Sequence, residues 1–223
     1  MLEKNLKDIL AEISAGNNLG EKITLVGASK TMPASEINKA ISLGLEVVAE
    51  NKVQEFREKT DKIIGGKQHF IGHLQTNKVK YLVGKVDLIQ SVDSIRLAEA
   101  INDRAKKLNI IQEILIEINI GGELSKSGFK SQNAIECINQ IQGLQNVKMV
   151  GLMAMLPNTE NEEVIVSLTK EMRSLYEKCI MLGLPFKHLS VGMSKDYKLA
   201  IKNGSNMIRL GSVIFGKRNY EVK

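Results

Sequence analysis

The chain has 223 residues, with 31 Lys and Arg against 25 Asp and Glu for a net charge of +6, 43% apolar side chains, two cysteines, three prolines and no Trp. These figures describe one globular domain. They exclude disorder, because apolar content is high and Pro sparse, and they exclude a membrane span, because apolar runs such as 110–120 are broken by Gln112, Glu113 and Glu117. The lysines are scattered among glutamates, and five Phe and four Tyr provide no stacking platform, so nucleic acid is not an expected partner. Cys137 and Cys179 belong to no CxxC or Cys/His cluster and read as reduced structural thiols.

In chain order, the opening MLEKNLKDILAEI places Leu and Ile at helical spacing among charges and lacks the apolar core of a signal peptide, so a helix over 3–16 and a cytoplasmic protein are expected. Short apolar runs then alternate with amphipathic stretches. Strands are predicted at 23–29, 46–49, 69–72, 88–92, 113–119, 148–153, 188–191 and 207–210. Helices are predicted at 34–43, 50–62, 75–82, 94–108, 131–142, 161–182 and 195–203. Eight strand–helix units without a linker or composition break predict a single (β/α)8 TIM barrel over 1–223 with an extra N-terminal helix; a doubly wound open sheet is the alternative.

Barrel chemistry sits at the carboxyl ends of the strands, so attention falls there. Thr24, Val26, Ala28 and Lys30 alternate onto one side of the first strand, which would aim a partly desolvated lysine into the barrel mouth. Such a lysine suits Schiff-base formation with a carbonyl compound; taken alone, it also reads as a solvated strand-end lysine, with Thr31 or Ser35 starting the next helix. Two later loops, Val191-Gly192-Met193-Ser194 and Leu210-Gly211-Ser212, offer backbone N–H groups and hydroxyls near helix starts after the seventh and eighth strands, where barrels bind phosphate. The alternative is a pair of turn glycines with Ser194 as a helix N-cap. Arg209 lies between Ile208 and Leu210 and needs an acceptor, either a buried carboxylate or the ligand. His69 is expected inside the barrel, His73 is a candidate for facing the ligand, and HFIGH gives no zinc site.

The chain resembles the YggS/PROSC family of pyridoxal 5'-phosphate (PLP) homeostasis proteins. The matching stretches are Val26-Gly27-Ala28-Ser29-Lys30-Thr31, Glu50-Asn51-Lys52-Val53-Gln54-Glu55, His69 to Lys78 (HFIGHLQTNK), Glu123 to Phe129 (ELSKSGF), Gly151 to Met155 (GLMAM), Leu189 to Ser194 (LSVGMS) and Gly204 to Gly216 (GSNMIRLGSVIFG). Together they cover essentially the whole chain in the family's order. The resemblance implies a barrel like the alanine racemase N-terminal domain, with Lys30 as the PLP Schiff-base lysine. It further implies Ser194, Gly211 and Ser212 around the phosphate, Arg209 facing the pyridine nitrogen, and Asn51 lining the site. Ala49, Lys195 and Ser212 depart from the family's usual Gly, acidic residue and Thr.

An arginine at the ring nitrogen disfavours its protonation and weakens the ring as an electron sink, so a non-catalytic PLP carrier is expected. Its partners would be PLP-dependent apoenzymes, and a monomer is the expected state. A PLP-dependent amino-acid racemase is the alternative function, although the second domain and opposing tyrosine of that type are not in evidence. A sugar-phosphate aldolase using Lys30 without the cofactor is a third.

Overall fold

The computed structural model of the chain describes residues 1–123 and 125–216. Leu124 of the ELSKSGF stretch and the last seven positions of the expected 1–223 domain lie outside the described residues.

Strands β1 (Thr24–Ala28), β2 (Val47–Glu50), β3 (Lys67–Phe70), β4 (Leu88–Val92), β5 (Gln112–Asn119), β6 (Phe129–Lys130), β7 (Val147–Ala154), β8 (His188–Ser190) and β9 (Met207–Leu210) form one parallel sheet. β1 pairs with β9 as well as β2, and β4 pairs with β5, so eight strands close into a barrel; β6 is a short addition on the outer end of β5. This is the expected (β/α)8 barrel. The added strand was not foreseen, since two residues carry no readable alternation.

Alternation along the strands separates two environments. Val26, Val47, Ala49, Leu88, Leu115, Val150, Met153 and Met207 fill the barrel interior, while Ile114, Ile116, Ile118, Leu189 and Ile208 face the surrounding helices. Each fully buried Val, Leu or Met of this kind contributes about 1.5–3 kcal/mol, so the middle of the barrel is a packed plug and the openings are confined to its ends. The strands pass register irregularities in β4 and β7, which re-aim the residues beyond them.

The crossovers are α2 (Ala34–Ser42), α3 (Val53–Lys59), α4 (Ile95–Lys107), α5 (Ala134–Gln142), α6 (Glu162–Met181) and α7 (Tyr197–Lys202), preceded by α1 (Leu2–Ile13) and followed by α8 (Ser212–Phe215). Ser94 accepts from Leu97 N–H and Asn161 from Glu163 N–H, giving α4 and α6 side-chain N-caps. Leu2, Leu6, Ile9 and Ile13 make the buried stripe of α1, and Asn5 Nδ2 donates to the Ile214 carbonyl (3.2 Å), tying the first helix to the last. Three helical expectations change. The 75–82 segment is a 3₁₀ helix over Thr76–Tyr81, and the 50–62 segment is α-helical only from Val53, because Glu50 ends a strand and Asn51 turns the chain. α7 starts at Tyr197 rather than near 195.

Candidate functional site

β1 delivers Lys30 two residues beyond its last strand position, and the lysine is half-buried there. Its strand neighbours are β2 and β9: Ala28 pairs with Ala49, and Gly27 with Leu210. That register puts the turn bearing Lys30 between the strand end carrying Asn51 and the strand end carrying Gly211 and Ser212. Thr31 does not start α2, whose N-cap position is Pro33; it sits instead in the left-handed region (φ 67°).

The loop after β8 reaches the same mouth. Gly192 has φ 110°, and a Cβ there would lie 2.9 Å from Ala200 Cβ and 3.0 Å from Tyr197 Cα, so the loop can run this close to α7 only with glycine. Ser194 is not the N-cap of α7. Asp196 holds that position, and its carboxylate accepts the Met193 N–H (2.5 Å). Ser194 is thereby left facing the other loop, its Oγ accepting from Ser212 Oγ at 3.3 Å. Ser212 begins α8; the Ile214 and Phe215 amides donate to the Gly211 carbonyl (3.0 and 2.9 Å), which leaves the Ser212 and Val213 amides without a backbone acceptor among the described residues. Two hydroxyls and free helix-start amides therefore converge, and beside Ser194 a cleft of about 330 Å³ is lined by residues 156–159 and 193–196.

Asn51 is pinned from behind. Gly72 approaches so closely that a Cβ on it would lie 1.9 Å from the Asn51 carbonyl oxygen, which accounts for the glycine in HFIGH. The Asn51 Oδ1 is buried and has no hydrogen-bond partner among the described residues. An amide oxygen held in this way at the mouth is the kind of group a bound ligand completes.

Arg209 faces the barrel interior, almost wholly buried. Its Nη1 donates to the Ser190 carbonyl (2.7 Å) and Ser190 Oγ (2.6 Å), and its Nη2 to the Ala154 carbonyl (2.8 Å). No carboxylate lies within ion-pair distance among the described residues, so the buried salt bridge weighed from sequence is replaced by hydrogen bonds to neutral acceptors. Burial draws its pKa down to about 10, opposed by the charges of Glu117 and Asp196, and it stays a cation at neutral pH.

What Arg209 is connected to leaves no mark in the local sequence. Ser190 Oγ donates to Gln90 Oε1 (2.8 Å), and Gln90 Nε2 meets His69 Nδ1 at 2.9 Å. Because the arginine can only donate, the direction of every bond in this chain is set, and His69 Nδ1 must accept; the ring is neutral, with its proton on Nε2. Burial pushes His69 down to about 3, with His188, Lys67 and Lys187 adding to it. Glu117, on the inward face of β5 with Leu115, is buried, and burial together with Asp93 raises its pKa to about 7 against the pull of Arg209 and His73. Alternation from Leu115 within EILIEIN was the available signal for Glu117. His73, expected toward ligand, is exposed and pairs with Asp93 (2.9 Å). Among the described residues no group of His, Cys, Asp and Glu could hold a metal, and no helix is long and apolar enough to cross a membrane.

A family model described as the alanine racemase N-terminal domain matches residues 9–219. A pyridoxal phosphate homeostasis protein of Aquifex aeolicus is 45% identical over 201 residues, covering 88% of this chain and 87% of its own. The chain belongs to the pyridoxal phosphate homeostasis protein family. PipY of Synechococcus elongatus, solved with PLP bound, superposes with a TM-score of 0.86 at 27% identity over 97% of this chain and 100% of its own. An alanine racemase of Clostridium difficile shares the fold (TM-score 0.78, 18% identity), and this chain covers 57% of that one.

Proposed function

We propose that this protein binds PLP at the carboxyl-terminal mouth of its barrel and serves intracellular PLP homeostasis by holding and releasing the cofactor rather than by catalysis. The observation that carries the reading is the convergence of Ser194 and Ser212, 3.3 Å apart on two loops, next to the strand end that bears Lys30. Family membership and the PLP-bound neighbour support the same ligand.

In this reading Ser194, Gly211 and Ser212 hold the phosphate, with helix-start amides favouring the anion. Lys30 supplies the amine, Asn51 Oδ1 accepts from the ligand, and Arg209 borders the ring nitrogen with a fixed positive charge. The bound cofactor contributes an aldehyde that condenses with an amine, losing water. Three of the five N–H groups of Arg209 are taken by Ser190 and Ala154, which fixes the guanidinium in place, and its positive charge keeps the ring nitrogen unprotonated. That weakens carbanion chemistry and favours storage. The protein acts as a cytoplasmic monomer over one 1–223 domain and passes PLP to apoenzymes that depend on it.

A racemase-type reading draws on one observation, the Glu117 carboxyl, which at a pKa of about 7 has the right poise to exchange a proton. Incubation of the protein with a panel of L-amino acids in deuterated water separates the two. The carrier reading expects no protein-dependent exchange at the α-carbon; exchange lost in both Lys30→Ala and Glu117→Gln would replace it with an enzyme.

A further inference from the structure

The Glu50-Asn51-Lys52-Val53-Gln54-Glu55 stretch contributes Asn51 to the mouth, which leaves its two glutamates without a function. Both turn away from the mouth and meet Lys59 behind the Lys30 turn. Lys59 Nζ lies 2.9 Å from Glu50 Oε1 and 2.9 Å from Glu55 Oε2, with the lysine and Glu50 side chains only 14% and 7% exposed. The same three residues hold the chain on both sides of Lys30. Lys59 Nζ donates to the Ser29 carbonyl (3.4 Å), Ser29 Oγ donates to Glu50 Oε1 (2.9 Å) and lies 3.1 Å from the Ala49 carbonyl, and Thr31 N–H donates to Glu55 Oε2 (2.7 Å).

The Ser29 carbonyl belongs to the peptide unit before Lys30, and the Thr31 N–H to the unit after it. Fixing both planes fixes φ and ψ of Lys30, and with them the direction of its Cα–Cβ bond. Lys30 and Thr31 are the central residues of a turn closed by the Met32 N–H on the Ser29 carbonyl (3.0 Å), which asks for the left-handed Thr31 (φ 67°), a conformation a non-glycine residue keeps only when its surroundings impose it; the Glu55 carboxylate holds the Thr31 amide of that turn. Electrostatics agree with a sprung, ordered cluster. Burial raises Glu50 despite Lys59, while Glu55 is lowered because the Lys59 ammonium and the Thr31 amide outweigh its partial burial. Apolar Ile37, Val48, Phe56 and Ile63 close the space beside Ser29, Glu50 and Lys59, so water does not readily replace a partner lost there, whereas the Thr31–Glu55 bond lies at the exposed edge of the cluster.

We infer that Lys59, clamped between Glu50 and Glu55, is a positioning residue that aims Lys30 at the cofactor's aldehyde. The inference rests on the reading of Lys30 as the PLP-reactive lysine. Lys59 forms no covalent bond and touches no cofactor atom; it acts through the two peptide units flanking Lys30.

The test has a cofactor-free and a cofactor-dependent arm, both on the full chain. In protein without PLP, amide hydrogen exchange at Thr31 is expected to accelerate about tenfold or more in Lys59→Met and in Glu55→Ala, because the amide loses its held acceptor. With added PLP, borohydride trapping of the wild type followed by peptide mapping first verifies Lys30. Trapping at Lys30 in Lys59→Met is then expected to slow by about tenfold to a hundredfold at unchanged circular dichroism, as misplacing a reacting group does, and Lys59→Arg is expected to restore most of the rate. Should Lys59→Met fail to fold, Glu55→Ala, at a half-buried position, carries the same two measurements. Wild-type exchange at Thr31, or wild-type trapping at Lys30 in a folded variant, overturns the positioning role. Wild-type trapping at another lysine, with Thr31 still released by the substitutions, defeats the PLP reading of Lys30 and leaves the clamp as a structural feature only.

Discussion

The two ends of the barrel both carry many polar groups, and they use them in opposite ways. At the amino-terminal end Glu113 pairs with Lys187 (3.1 Å) and Lys148 (3.5 Å), with side chains from a third to a half exposed, around a cavity of about 320 Å³ that also meets His69 and His188. The Glu113 carboxylate is shared between the two lysines in solvent. At the carboxyl-terminal end hydroxyls, helix-start amides and an orphaned amide oxygen converge beside the turn that bears Lys30. The difference teaches that polar density alone does not mark a candidate site, whereas convergence of polar groups from several strand ends does.

The largest predicted effect strikes the mouth. Ser212→Asp puts a carboxylate against the phosphate, a like-charge contact in a partly desolvated place, and is expected to weaken PLP binding by about a hundredfold or more. Arg209→Gln, in the same titration of PLP into apoprotein, is expected to stay within about threefold of wild type with a shifted absorption spectrum, at a stability cost of about 1–3 kcal/mol for the acceptors left unpaired. Reversal of that order would place the phosphate at Arg209 and the ring at the Gly211 turn.

Gly192→Ala comes next. Its methyl group would press on the backbone of α7 at a φ that alanine disfavours, costing about 1–3 kcal/mol in chemical denaturation and weakening PLP binding about tenfold as Ser194 is displaced.

The interior answers to pH. His69 and His188 are held neutral, pushed down to about 3 and about 4, so unfolded chains bind protons between those values and pH 6.5 that the folded protein refuses. Stability therefore rises with pH across roughly 4 to 6.5, by up to about 1.4 kcal/mol per unit for each histidine. Glu117 works the other way: raised to about 7, it contributes stability that is complete below its unfolded value near 4.5 and is lost as pH climbs through 7. Urea titrations should show His69→Gln flattening the acid limb and Glu117→Gln steepening it.

The smallest effect belongs to the amino-terminal end. Lys187→Met breaks a half-exposed pair and is expected to change stability by less than about 1 kcal/mol and PLP binding not at all.

The barrel was legible because its signal is repeated: apolar runs eight times over, each followed by a helical stretch, leave few other closures. The lysine, the serines and the arginine were legible only as candidates, because they stand at strand ends or in a strand where their types are out of place. What stayed hidden depends on contacts distant in sequence. Nothing near Lys59 announces that it reaches back to Ser29, and Thr31 looks like an ordinary helix opener until Glu55 takes its amide. Gln90, Ser190 and His69 likewise make one chain with Arg209 only once β3, β4, β8 and β9 have closed around it. The 3₁₀ helix at Thr76–Tyr81 escaped because a segment this short shows the same apolar spacing in either helix type.

The most direct test of the central claim is the covalent one. Purified protein saturated with PLP is reduced with borohydride, digested and mapped, beside Lys30→Ala treated identically. The account predicts a pyridoxyl label on the peptide containing Lys30, absent from a folded Lys30→Ala; a label on Lys126 or Lys195, or unchanged labelling in the variant, would contradict it.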